Sequence, residues 1–378
     1  REDLENEAGA EIVDILHRYP GIDISRNGGP GQQSSIFIRG AESDHTLIMI
    51  DGIRINPGTI GTASIQNIPL DMIERIEIVK GPRSTLYGSD AIGGVINIIT
   101  RKHTQEGTRY AARIGGGSFG TASAGFSAHN NLGDRAAGIN VTAERSDGFP
   151  TLTTQSEDRG YDNLSVNLYG KKRIGATDAT FEYWQARGTT EYFDYDALFN
   201  LVPLDQDFTS STTALTLVNN PATIWVSKLK LAYFDDNIEQ NQSEDYARTR
   251  RIALDWQNDI QAGDDQLITA GVYLADENTA SISYGSGFDV DTDVTAVFVQ
   301  DNISLDKHQL VAGARYTDHE SYGDHTTWNL EYGYQLSQGW KLTAAANTGF
   351  RSPSTTDLFG FGGNPDLKPE ESRNRELG

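Results

Sequence analysis

From about Gly107 to the end of the chain, apolar and polar residues alternate with a period of two. The clearest stretches are WNLEYGYQL at 328–336 and WKLTAAANTGF at 340–350, with shorter ones at 139–143 and 164–168. Successive side chains of a strand point to opposite faces of the sheet, so this period predicts strands with one apolar and one polar face. The pattern predicts about 13 strands, and a further strand is expected to begin at 376–378.

The first hundred residues have a different pattern. Residues 7–17 carry apolar positions at helical spacing and predict a short amphipathic helix that ends at Pro20-Gly21. Four short apolar runs rich in β-branched residues predict strands at 35–39, 46–50, 76–79 and 95–99. Glycine and proline clusters predict loops at 28–31 and 56–58. Residues 1–102 are therefore predicted to form a mixed α/β unit, and 103–378 a β unit.

Three features favour a membrane barrel over a soluble β-sandwich, which shows the same alternation. The strands are long, about 10 residues each, and Trp340 and Phe350 lie near strand ends, where interfacial aromatic girdles occur. Short and long connections also alternate, as in outer-membrane barrels. The predicted tight turns are 131–134, 175–178, 263–265, 306–308 and 337–339, and the predicted long loops are 146–162, 190–208, 235–245, 276–291 and 351–370.

Composition and charge exclude several classes of protein. The 378 residues contain no cysteine, which excludes disulfides and thiolate metal sites, and carry a net charge of −22, which opposes nucleic-acid binding. No apolar run reaches the roughly 20 residues of a membrane-spanning helix. The sequence contains no phosphate-binding Gly-Lys-Ser/Thr loop, no HExxH motif and no nucleophile elbow with partners, so an enzyme is not expected.

Several segments closely resemble the TonB-dependent outer-membrane receptors, and among them the transporters of cobalamin (vitamin B12). The segments in the first unit are DILHRYPGIDI at 14–24, GQQSSIFIRG at 31–40, LIMIDGIR at 47–54, KGPRS at 80–84 and LYGSDAIGGVINII at 86–99. Those in the β unit are FRSPS at 350–354 and GFGGNPDLKPE at 360–370. The cobalamin resemblance depends mainly on 31–40 and its surroundings.

The resemblance implies a mainly β protein, a transmembrane antiparallel β-barrel with an N-terminal α/β plug domain in its lumen. Barrels of about 22 strands are wide enough to hold such a plug. Residues 1–102 would be the plug and 103–378 part of the barrel. The odd strand count and the lack of a signal peptide suggest a fragment without the N-terminal TonB box and the last strands. The implied location is the bacterial outer membrane.

The resemblance also implies a ligand site at the extracellular apex of the plug. By position in the motif, Gln33 and Ser35 would line a cobalamin site, and Glu42 stands where the family can have asparagine. Ile60 and Gly61 fall in a second apical loop that is one residue shorter than the family pattern. Ordinary surface turns are the alternative for both loops.

Acidic residues on adjacent predicted loops are candidate calcium ligands, because Ca²⁺ takes six to eight oxygen donors in flexible geometry. The family resemblance implies calcium in these loops, with Tyr195-Asp196-Ala197 similar to part of the motif, although Pro150 stands where aspartate is expected. A solvated acidic loop without metal is the alternative. The candidates are Glu157, Asp158, Asp162, Asp194, Tyr195, Asp196, Asp205 and Asp207.

Three plug arginines, Arg39, Arg54 and Arg83, are candidates for ion pairs between plug and barrel. A guanidinium desolvated in the lumen needs a carboxylate partner, since an unpaired buried charge is costly. An exposed surface role is the alternative. The sequence does not identify the acidic partners.

The function expected from the resemblance is capture of cobalamin and its transport to the periplasm. The energy would come from the TonB-ExbB-ExbD complex, acting through the segment expected to be missing here. A ferric-siderophore or haem receptor of the same architecture is the first alternative. A soluble calcium-binding β-sandwich or lectin-like module is a second, from another class. A passive porin is disfavoured, because a plug would block a permanent channel.

Overall fold

The structure, a computed structural model, describes residues 11–195 and 199–378. The part before residue 101 forms a small α/β unit, the plug. Its helices are α1 (Ile12–Leu16) and α2 (Ser84–Tyr87), with 3₁₀ turns at Ser43–His45, Ile65–Asn67 and Leu70–Met72. Its strands are β1 (Ile22–Arg26), β2 (Ser34–Ile38), β3 (Thr46–Ile50), β4 (Ile53–Arg54), β5 (Ile73–Lys80) and β6 (Gly94–Thr100).

The remaining strands form one antiparallel sheet, the barrel wall. They are β7 (Gly107–Gly116), β8 (Ala122–Asn131), β9 (Arg135–Phe149), β10 (Arg159–Ile174), β11 (Thr177–Tyr195), β12 (Leu201–Ala222), β13 (Trp225–Gln240), β14 (Tyr246–Gln261), β15 (Gln266–Ser283), β16 (Ser286–Leu305), β17 (His308–His319), β18 (Gly323–Ser337), β19 (Trp340–Arg351) and β20 (Glu370–Leu377). A short helix, α3 (Thr355–Phe359), lies between β19 and β20.

Each wall strand pairs with the strand that follows it in the chain, which gives a 14-stranded sheet in the order β7 to β20. The first and last of these strands each have one neighbour in that order. The expected final strand at 376–378 is the end of β20, which begins earlier, at Glu370. In the plug, β3 and β6 run parallel at the centre of a four-stranded sheet, and β1 and β2 form a separate hairpin.

The period-two pattern sorts side chains between the two faces of the wall as predicted. In β18, Trp328 is 44% exposed on the outer face, whereas its neighbour Asn329 is 6% exposed on the inner face. Trp340 also lies on the outer face, next to a short turn. The girdle prediction for Phe350 is wrong: this ring is 2% exposed and stacks on His325, with 4.8 Å between centroids. Pairing of β18 with β19 extends only to Asn329 and Asn347, and Phe350 lies beyond that ladder.

The tight turns match the prediction, but most of the predicted long loops are strand. For example, β15 and β16 continue to Ser283 and from Ser286, so the predicted loop 276–291 is a hairpin with a two-residue turn. The β12 strand has 22 residues, about twice what the hydrocarbon core requires. Backbone pairing forms these extensions, because a ladder needs no apolar side chains, and cross-strand hydrogen bonds such as those from Asn278 to Asp289 and Asp291 add to it. Among the predicted long loops, 146–162 and 351–370 lie more than half outside the sheet.

The plug packs against the inner face of the wall through a large apolar cluster and through a small one formed by Ile53, Ala214 and Ala232. Ile12, Leu16 and Ile65 of the plug are buried in the large cluster together with Trp184 and Phe208 of the wall. The predicted helix at 7–17 is α1 within the described residues, and its first four residues lie outside them. In the described part of the chain, no helix has the length and apolar character needed to cross a bilayer.

Candidate ligand-binding site at the plug apex

The first apical loop, residues 27–33, lies against the upper ends of β9 to β11. Gln32 donates from Nε2 to the backbone oxygen of Glu191 at 2.5 Å, and Thr190 donates from Oγ1 to the Gly31 oxygen at 3.4 Å. Gly31 has φ of +73°, and a Cβ built there would lie 1.9 Å from the Tyr161 ring. Only glycine tolerates both the positive φ and the close contact with the Tyr161 ring. The wall therefore determines the position of this loop.

The second apical loop, residues 56–61, is held between β14 and the segment that carries α3. The Thr59 N–H donates to Oγ1 of Thr249 at 3.2 Å, and the Thr355 N–H donates to the Gly58 oxygen at 2.9 Å. Inside the loop, the Asn56 amide donates to the Gly61 oxygen at 2.9 Å. Both apical loops are thus held by hydrogen bonds to the barrel unit.

Three of the predicted ligand residues, Ser35, Glu42 and Gly61, lie beside the Ser43–His45 turn. Glu42 is exposed directly before it, and the N–H of Ile36, next to Ser35, donates to Ser43 Oγ at 3.0 Å. On the other side, a Cβ on Gly61 would lie 3.4 Å from the Asp44 Cβ. The two remaining predicted residues are the exposed Gln33, before β2, and the half-buried Ile60, before Gly61. Ser35, Glu42 and Gly61 therefore lie beside this turn, whereas the Gln33 side chain accepts from Asn27 in the first apical loop.

An ionic cluster beside this region was not predicted. The guanidinium of Arg351, at the end of β19, lies 2.6 Å from Asp44 and 2.9 Å from Glu370. His45 Nε2 lies 2.8 Å from the same Glu370 carboxylate. Burial raises the pKa of Asp44, although the Arg351 cation opposes that rise. The only sequence signal was the FRSPS segment, which contains Arg351 but does not indicate its partners.

The three predicted arginines divide into two groups. Arg39 pairs with Glu376 of β20, and Arg83 pairs with Glu331 of β18, so both join the plug to the wall. The prediction is wrong for Arg54, whose partner is Asp90 at 2.9 Å, inside the plug. Arg54 also donates to the carbonyl oxygens of Tyr87, the last residue of α2, and of Ser89, so its guanidinium is satisfied within the plug.

Lys102 lies where the plug leads into the wall, and sequence reasoning did not identify it. Its ammonium lies 3.0 Å from Asp51 of the plug and also pairs with Glu182 of β11. Burial alone would lower the pKa of Lys102, but the two carboxylates outweigh it and raise the pKa. One lysine therefore links the plug sheet to the wall at this junction.

The candidate calcium ligands do not form one group in the described residues. The Asp205 carboxylate accepts from the amides of Asn241 and Gln242, Asp207 accepts from Thr189 Oγ1 at 2.7 Å, and Glu157 pairs with Arg159 at 3.0 Å. Asp162 is exposed on β10, and Asp158 is exposed in the loop before it. The Asp194 carboxylate accepts from the Tyr195 N–H. Asp196 lies outside the described residues.

Three acidic or histidine ligand atoms lie within 4.8 Å of one another at one place in residues 11–195 and 199–378, namely Glu42, Asp44 and His45. Asp44 and His45 are already paired with Arg351 and Glu370. The described residues of the acidic loops do not form a convergent set of oxygen donors of the kind that Ca²⁺ needs, so calcium binding there stays a prediction.

Two protein families match this sequence in consecutive segments. Residues 1–95 match the family described as TonB-dependent Receptor Plug Domain. Residues 101–378 match the family described as TonB dependent receptor-like, beta-barrel. Together these matches cover nearly the whole chain.

A curated relative is the Vitamin B12 transporter BtuB of Photobacterium profundum. It is 31% identical over 397 aligned residues, which cover 100% of this chain and 62% of the relative. The chain thus spans about three-fifths of that protein's length. Solved structures with the same fold include the siderophore receptor PirA from Acinetobacter baumannii, with a TM-score of 0.82, 22% identity and coverage of 100% of this chain and 67% of that one.

A second solved structure is the FrpB iron transporter from Neisseria meningitidis. Its TM-score is 0.82 at 14% identity, with coverage of 99% of this chain and 67% of that one. At such identities, the two structures establish the fold and leave the ligand open.

Proposed function

Because this chain belongs to the TonB-dependent receptor family, with a plug segment followed by a barrel segment, we propose that it functions as a receptor for cobalamin. The observation that carries the proposal is the 31% identity to a vitamin B12 transporter along the whole chain. The position of Ser35, Glu42 and Gly61 beside the Ser43–His45 turn supports it. We assign the plug to residues 1–102 and barrel strands to 103–378.

The proposed setting is the bacterial outer membrane, with the apex of the plug facing outward. The exposed apolar residues on the outer face of the wall would contact lipid, as in β-barrels that cross this membrane. Transport to the periplasm would draw energy from TonB and its ExbB-ExbD partners. Nothing in the family's architecture provides for nucleotide hydrolysis, so an external partner has to move the plug.

The proposed site would use neutral polar groups and backbone. Cobalamin carries several carboxamide side chains, which both donate and accept hydrogen bonds. The Gln33 amide and the Ser35 hydroxyl have the matching capacities. The positive φ of Gly61, +72°, gives a tight turn whose backbone can approach a bulky ligand closely.

The first test measures binding of cyanocobalamin to the detergent-solubilised protein by equilibrium dialysis. A dissociation constant on the order of 1 μM or tighter is expected for a scavenging receptor. A ferric catecholate siderophore is the comparison ligand, because siderophore receptors have the same fold. Tight binding of the ferric chelate without binding of cobalamin would reject cobalamin as the ligand.

Within the site, Gln33→Ala is expected to weaken cobalamin binding about 3- to 10-fold, the value of one hydrogen bond. Gln105→Ala is the matched control, because Gln105 is also an exposed glutamine but lies in the segment that leads into β7, near the short turns. The same dialysis measures both variants. Equal cobalamin affinities of the two variants would show that Gln33 does not contact the ligand.

A further inference from the structure

Two cavities lie between the plug and the inner face of the wall. The larger, which we call the seam cavity, has a volume of about 330 Å³ and lies between the plug sheet and β13 to β17. A smaller one of about 100 Å³ lies toward the apex and reaches Gly61 and Arg351. The side chains that line both cavities, and therefore separate them, are Arg54, Arg251, Tyr273 and Arg315.

The seam cavity is cationic in a strongly acidic protein. Five cationic side chains line it, and Asp255 is the one carboxylate among its lining residues. Two of the cations are neutralised from outside the cavity, Arg54 by Asp90 and Arg251 by Glu277. The three that remain, facing one carboxylate, are Lys228, Lys230 and Arg315.

Arg315 is one of two buried members of this group without an acidic partner in the described residues, the other being Lys230. Arg315 is 4% exposed, and within the described ranges no carboxylate oxygen lies within 4.0 Å of its guanidinium. Its Nε donates to Thr317 Oγ1 at 3.0 Å and its Nη1 donates to the Leu86 oxygen at 3.3 Å. A Cβ at Gly88 would lie 3.1 Å from Nη2, so the glycine leaves room beside that nitrogen.

The rings of Tyr273 and Phe298 lie beside the guanidinium, each with its centroid 5.7 Å from Cζ. Such ring contacts favour a cation weakly but do not replace a counter-ion. A buried charge without its counter-ion is costly, so an anion bound beside it would relieve that cost. Arg315 lines the seam cavity, which has space for a small anion.

The two lysines extend the positive charge along the same wall. Lys230 is buried and donates to the Asp51 backbone oxygen at 2.5 Å, which leaves its charge without a carboxylate contact. Lys228 is exposed and also lines the cavity. The two lysines lie on β13 and Arg315 lies on β17, so the positive charge is spread over more than one strand of the wall.

We propose that the seam cavity is an anion-binding site, distinct from the apical ligand site, which takes a phosphate group. The group is either free phosphate or a phosphodiester within a larger ligand. The planar Arg315 guanidinium would hold two oxygens, as arginine does with phosphate, and Lys228 and Lys230 would add charge. This site does not depend on which ligand binds at the apex.

The test titrates inorganic phosphate and dimethyl phosphate into the detergent-solubilised protein at low ionic strength, with phosphorus NMR line width as the readout. Arg315→Gln is expected to weaken phosphate binding at least about tenfold, the effect of losing a charged hydrogen-bond donor. Arg315→Lys, which keeps the charge, should retain part of the affinity. Binding of dimethyl phosphate as well would assign the site to diesters, and binding of inorganic phosphate alone would assign it to the free ion.

Arg250→Gln is the matched control and should bind as the unaltered protein does. Arg250 is on the neighbouring strand β14, but it is exposed on the outer face beside Asp235. Lys228→Gln provides a second variant that disturbs no buried contact, with an expected weakening of about 3-fold. Three results would overturn the proposal: no binding of either anion, equal binding by the Arg315 and Arg250 variants, or a Lys228 variant that binds unchanged.

Discussion

Valine at position 31 is expected to detach the first apical loop from the wall and to lower the free energy of local opening there by about 2–5 kcal/mol. Two costs add up. The backbone at Gly31 has φ of +73°, which a β-branched residue resists, and the new Cβ would lie 1.9 Å from the Tyr161 ring. Tyr161 cannot move aside easily, because it is buried and stacked on Phe208 at 6.1 Å.

Gly40→Val separates these two costs. Gly40 has a similar φ, +77°, but no heavy atom lies within 4 Å of the position its Cβ would take. This variant should therefore lose only the backbone part, about 1–2 kcal/mol. In a Tyr161→Ala background, the effect of Gly31→Val should fall to the Gly40 value, because the ring that causes the clash is absent.

Hydrogen exchange measures the effect directly. Amides of β2, which pair with β1 beside the loop, report local opening in this part of the plug. Trp184 gives a second signal, since it is 2% exposed in the cluster where plug and wall meet, and a Trp184→Phe variant identifies its emission. Equal losses for the valines at 31 and 40 would show that the Tyr161 contact does not hold the loop.

The sequence predicts the strands and their faces well because that information is local. A side-chain period of two is visible within ten residues, and it assigned Trp328 and Leu330 to the outer face. The short turns were also found, since glycine and aspartate mark them directly. These features together were sufficient to predict the mainly β fold and the alternating connections.

Strand ends beyond the lipid were missed for a physical reason. The segments at 190–195, 201–208 and 276–291 are rich in acidic and small residues, which resemble loops, yet they pair as regular ladders up to their turns. Backbone hydrogen bonds hold these hairpins, and outside the membrane the side chains are free to be polar. Composition therefore reports the environment of such segments and not their backbone structure.

The contacts between plug and wall could not be predicted from local pattern. Arg39 and Glu376 are 337 residues apart, and nothing near either position identifies the other. Local pattern also did not reveal that the partner of Arg54 is Asp90, which lies within the plug and not in the wall. The residues of the apex could be named from a motif, whereas Arg351, which holds Asp44 beside them, required the structure.

Arg351→Gln is expected to lower the free energy of plug opening by about 2–4 kcal/mol, since it breaks a mostly buried ionic cluster. The Arg351 side chain is 7% exposed, and its loss would leave Asp44 without its nearest cation. Glu370 is 49% exposed, so water can solvate that partner. The expected loss of free energy is therefore smaller than for a fully buried ion pair. Hydrogen exchange over the Ser43–His45 turn measures the change.

Arg39→Gln is the matched control, because Arg39 also joins the plug to β20 but is 49% exposed, with a partner at 37%. Its loss should cost at most about 1 kcal/mol, and salt should reduce that further, whereas the Arg351 effect should persist in salt. Equal losses would mean that burial does not set the strength of these links. Because Asp44 adjoins Glu42 and Gly61, the Arg351 variant should also weaken cobalamin binding, while the Arg39 variant should not.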